Sequence, residues 1–174
     1  MKHLTTTLAV AALSFVALTG SAHAMGTPKA DEFVQKASVA SLFEIETSKL
    51  ALSRSANADV KAFAQQMVSD HTAASAKLKA TAEANGLGAS VATALDEKHQ
   101  KKLDKLAKED AKDFDEEYVD EQETAHRKAV KLFEDYSKDG DNAALKKLAG
   151  ETLPTLKAHK EHAQVLEDKV DDAE

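Results

Sequence analysis

From Lys29 to Lys169 the chain carries only five residues that punctuate helices: Gly86, Gly88, Gly140, Gly150 and Pro154. Runs of this length without glycine or proline, and without the every-second-residue alternation of a half-buried strand, fold as long helices. The side chains agree, because Ala, Lys, Leu, Asp and Glu dominate and all but Asp are strong helix formers. Apolar residues recur at spacings of three and four. The pattern predicts helices over about 29–53, 58–85, 94–107, 111–137 and 142–169. Asn57 is placed to cap the second and Asp141 the last, while Gly86 permits the left-handed residue that closes a helix. Pro154 falls inside the last helix, where it removes one amide bond and crowds the carbonyl of Gly150, so a kink is expected there.

Two long hairpins joined by a connection with its own short helix imply an all-α, four-helix bundle over 31–170, followed by an acidic tail at 171–174. Ahead of it, Lys2 and His3 precede an apolar run from Leu4 to Leu18 that is too short to span a bilayer. Ala22-His23-Ala24 supplies a small-x-small cleavage signal. Residues 1–24 therefore read as a cleaved export signal and 25–30 as a short N-terminal segment. The expected location is periplasmic or secreted, with no transmembrane segment in the mature chain.

Composition excludes several functions. The 174 residues include 30 acidic and 23 Lys or Arg side chains, a formal net charge of −7, so no basic face exists for nucleic acid. The absence of cysteine rules out disulfides, thiolate metal sites and thiol nucleophiles. Glycine-rich phosphate loops, Gly-x-Ser-x-Gly and His-Glu-x-x-His are all missing, which disfavours common hydrolases and kinases.

What remains is a set of polar residues on apolar stripes. Glu44 lies in line with Phe33, Ala37, Ala40 and Ala51, and His71 with Met67 and Leu78. His126 sits with Gln122, Ala129 and Phe133, and His159 between Leu156 and Ala163. Counted from the two hairpin turns, the four stand at heights that agree to about one helical turn, so all could meet in mid-bundle. Three imidazoles and a carboxylate suit one Cu, Zn or Fe ion. Met67, one turn before His71, would add a soft ligand, Asp70 could orient a ligand from outside, and Glu123 forms a Glu-x-x-His pair with His126. The same residues also suit a metal-free hydrogen-bond network that fixes helix register. In that case the protein would be structural, acting through an envelope protein partner or through self-association. His99 reads as a surface or packing residue, His162 as outward-facing, and the lysines at 101, 102, 105 and 108 as a solvated face compensated by Asp104, Glu109 and Asp110.

Phe63-Ala64-Gln65-Gln66-Met67-Val68-Ser69-Asp70-His71, Glu44-Ile45-Glu46, Phe114-Asp115-Glu116-Glu117-Tyr118 and Thr152-Leu153-Pro154-Thr155-Leu156-Lys157-Ala158-His159 together resemble a known family. It is domain-of-unknown-function family 4142, exported bacterial proteins regarded as ferritin-like and often labelled outer-membrane proteins. The resemblance covers about residues 31–168. It implies a ferritin-like bundle and marks Glu44, Asp70, His71, Tyr118, His126 and His159 as motif positions. Val68 and Leu156 stand three residues before His71 and His159, so no second Glu-x-x-His is completed and a carboxylate-rich di-iron enzyme is disfavoured. No barrel-like strand pattern accompanies the outer-membrane label.

Overall fold

The computed structural model describes residues 26–171, so the proposed export signal and the last three tail residues lie outside it. Five α-helices follow in order: α1 (Ala30–Arg54), α2 (Ala58–Ala84), α3 (Glu97–Lys108), α4 (Phe114–Asp139) and α5 (Ala143–Asp171). A single 3-10 turn, Gly88–Ser90, interrupts the connection to α3. No strand occurs among the described residues.

Helix ends follow from local chemistry. Asn57 Oδ1 accepts the amides of Asp59 and Val60 at 2.9 and 3.3 Å, capping α2 as its sequence position suggests. Gly86 adopts φ +73°, and the amide of Leu87 then reaches back to Ala82 O at 2.8 Å. The cap of α5 differs from expectation. Asn142, not Asp141, accepts the amides of Ala144 and Leu145, at 3.0 and 3.1 Å. Asp141 is instead taken by the Tyr136 hydroxyl at 3.1 Å, a partner on the preceding helix that sequence spacing did not suggest. α5 continues through Pro154 as one helix, so the proline does not end it.

α1 packs on α2 and α4 on α5, while α1 also meets α4 and α2 meets α5. The crossover between the two hairpins is tied down at both ends. Ser38 Oγ accepts the amide of Ala92 at 2.9 Å. At the far end, Arg54 donates to the carbonyls of Leu106 and Ala107, closing α3 against α1. Burial divides into two apolar clusters. One gathers Phe33, Leu78, Phe133, Tyr136, Leu145 and Leu156; the other gathers Phe63, Met67, Phe114, Tyr118, Ala163 and Leu166. On every long helix the polar residue of the stripe falls between the residues of these two clusters. A polar layer is thus enclosed by apolar layers on both sides.

Candidate metal centre

That layer holds Glu44, His71, His126 and His159, none more than 4% exposed. Each comes from a different long helix. The three imidazole rings form a nearly equilateral triangle, with centroid separations of 5.3, 5.5 and 5.4 Å. One nitrogen from each ring lies within 4.8 Å of the others.

The second nitrogen of each ring is held from outside. His126 Nδ1 is 2.8 Å from the carbonyl of Gln122, so that nitrogen carries the proton and Nε2 is left as a bare lone pair. His71 Nε2 stands 3.3 Å from this lone pair and donates to it. His71 Nδ1 is then an acceptor, and the atom facing it at 3.0 Å is Glu44 Oε2. Ser41 Oγ also stands 3.4 Å from this nitrogen, and at the shorter contact a neutral Glu44 acid can supply the hydrogen. Burial agrees, pushing its carboxyl up to about 8. On the remaining ring, Nε2 of His159 lies 3.0 Å from Asp70 Oδ2, while Nδ1 is buried without any hydrogen-bond partner.

Burial also keeps the imidazoles neutral. It lowers His126 to about 4 and His71 well below the ordinary value, the neighbouring histidines adding to the effect on both. His159 is lowered by burial, with Asp70 opposing. A depressed histidine contributes stability that is complete above about 6.5 and lost as pH falls toward its folded value. For His126 the span from 6.5 to about 4 corresponds to about 3 kcal/mol. Glu44 runs the other way, gaining stability as pH falls. Three histidines outweigh one carboxyl, so the metal-free protein is expected to melt progressively lower between pH 6.5 and 4, which thermal unfolding across that range would check.

Not every candidate residue joins the cluster. Met67 packs in the apolar cluster one turn along α2. Glu123 faces Gln164 at 3.5 Å and Arg127 at 3.9 Å, away from the three rings. Asp70 does orient a histidine, but one on α5 rather than its own neighbour His71. His99 packs against Phe43 with its Nδ1 on Asp96, and His162 is exposed, as their positions suggested. On the lysine face Lys101 pairs with Glu97 one turn earlier, while Lys105 and Lys102 pair with Glu117 and the buried Glu121 of α4. Sequence reasoning missed Ser41, which donates to His71 O at 3.2 Å, and Ser48, which shares a hydrogen bond with Tyr118 at 2.9 Å. A serine among small residues on a helix carries no signal of such a role.

Three histidines facing one point, each steadied through its other nitrogen by a carboxyl or a carbonyl, define an all-α protein whose buried centre is close enough to hold a metal ion. The chain belongs to the family described as domain of unknown function DUF4142, which it matches over residues 16–166. No curated protein and no solved structure matches it.

Proposed function

We propose that this is an exported ferritin-like bundle that binds one late transition-metal ion through His71 Nε2, His126 Nε2 and His159 Nδ1. The observation that carries this reading is the buried, unpartnered Nδ1 of His159. A core histidine kept only for structure would have both nitrogens satisfied, since a buried polar atom without a partner costs stability. The donor set fits the group. Imidazoles suit Cu, Zn, Fe and Ni, and a metal–nitrogen distance of about 2.0–2.1 Å in tetrahedral geometry sets ligand nitrogens about 3.3–3.4 Å apart. His71 and His126 already stand at 3.3 Å. With no carboxylate in the inner set, the order of affinities favours Cu(II) or Zn(II) over Fe(II).

Glu44 then has a role other than ligand. For His71 Nε2 to present a lone pair, its proton must sit on Nδ1, where Glu44 accepts it as a carboxylate. Asp70 does the same for His159. Bound here, the ion would be a Lewis acid with one position open to an outside molecule. Export rests on the apolar leader with its cleavage signal. No helix among the described residues is long and apolar enough to cross a membrane.

A second reading has its own support. The chain Glu44–His71–His126–Gln122 O closes on itself without metal. It makes the centre a register-fixing network and leaves function to the surface. The two separate on one measurement. Protein exported to the periplasm and purified without a polyhistidine tag should carry, or take up on dialysis, about one equivalent of Cu or Zn per chain by mass spectrometry. Replacing Asp70 with alanine should keep that stoichiometry while weakening affinity about 10- to 100-fold. No uptake of Cu, Zn or Fe would establish the structural network instead.

A further inference from the structure

Beside the centre lies a cavity of about 30 Å³, lined by Glu44 and His71 among others and walled by all four long helices. Its walls are mainly Ala37, Ala74, Leu78, Ala129, Phe133 and Leu156. Water needs about 10–15 Å³ by this measure, so the space takes two or three heavy atoms. Sugars, nucleotides, peptides and tetrahedral oxyanions are too large.

The polar atoms that line it do not invite an anionic guest. Ser41 donates to His71 O at 3.2 Å and pairs with Ser75 at 2.7 Å. Thr152 donates to Leu148 O at 2.8 Å. Their hydroxyl hydrogens are therefore used within the protein. The Glu44 carboxyl in the lining has Oε1 without a hydrogen-bond partner, an acceptor that repels anions. Alanine occupies lining positions 37, 74 and 129, where a larger aliphatic side chain would fill the space.

We propose that this cavity is a binding site for an apolar diatomic molecule of the size of dioxygen, held against the Glu44–His71 edge of the centre. Its service as the path to the open position of the ion rests on the metal reading above. Binding of the gas does not, and it is measured in the metal-free protein.

The test uses protein labelled with ¹³C at the alanine methyls, with spectra recorded under nitrogen and under dioxygen pressure. Dioxygen is paramagnetic and speeds the relaxation of nearby protons. The enhancement should be several-fold greater at the buried Ala37 and Ala129 than at Ala51 and Ala163, which are buried in the other apolar cluster. Ala74→Leu should remove the excess while leaving metal uptake intact, and Ala74→Val provides a milder filling if the leucine disturbs packing. Equal enhancement at these four methyls would overturn the proposal. So would water contacts to the Ala37 and Ala74 methyls with no dioxygen effect, which would make the cavity a water site. A dioxygen effect in protein that takes up no metal would support the cavity and refute the metal reading. Metal uptake without a dioxygen effect would do the reverse.

Discussion

His126→Ala is expected to abolish stoichiometric metal uptake, with affinity falling by more than about 100-fold, while the helical circular dichroism persists. The size follows from the ligand's place in the centre. Removing a residue that merely orients a ligand already costs about 10- to 100-fold, and His126 is itself a ligand in the proposed set. It also holds the other rings in position, since His71 Nε2 lies 3.3 Å away and its ring centroid is 5.4 Å from that of His159. Helix content should survive because Phe33, Phe133 and Tyr136 on one side, and Phe63, Phe114 and Tyr118 on the other, hold the bundle without the polar layer. His71→Ala should behave alike. Titration with Cu and Zn monitored by calorimetry, beside circular dichroism of the same samples, makes the comparison. Unchanged uptake in both variants would mean that any metal binds elsewhere.

Much of this centre was legible in the sequence because helical periodicity is rigid. A residue on the stripe of a long helix must face the core, and residues equally distant from a hairpin turn must stand at similar height. That reasoning placed Glu44, His71, His126 and His159 in one layer, and the structure puts all four there. Periodicity does not fix which nitrogen of a ring faces which neighbour. Glu44 therefore read as a ligand, whereas in the fold it faces the outer nitrogen of His71. Asp70 was visible as an orienting carboxylate, but its target on α5 depends on the rotation of α2 against that helix, which no local pattern encodes. Caps divided in the same way. Asn57 obeys its own sequence, while Asp141 gave up the capping position when Tyr136 claimed its carboxylate from the preceding helix. The cavity was not legible at all, because it arises from the joint placement of small side chains on α1, α2 and α4.

Glu44→Gln is expected to strengthen the metal-free fold and weaken the metal complex, a pair of opposite effects that a purely structural network would not produce. In the metal-free protein the Glu44 acid stands 3.0 Å from His71 Nδ1, and a glutamine amide can donate there in its place. The carboxyl, raised from 4.5 to about 8, contributes stability that is complete below 4.5 and lost as pH climbs through 8. That interval corresponds to about 5 kcal/mol, an upper figure because a buried site relaxes when it ionises. Glutamine carries no such cost. The variant should match the parent near pH 4.5 and melt about 5–10 °C higher above pH 8. Metal reverses the demand on this side chain. His71 must then carry its proton on Nδ1, and the charge of a carboxylate accepting that proton makes the imidazole a better ligand. Glutamine can accept the hydrogen but brings no charge, so affinity should fall about 10- to 100-fold. Melting curves from pH 5 to 9, with and without one equivalent of Zn, test both halves together. A higher melting temperature at alkaline pH with no change in metal affinity would assign Glu44 to the fold alone. A variant no more stable than the parent above pH 8 would mean that Glu44 is already ionised in the metal-free centre, and that the proton between it and His71 resides on the imidazole.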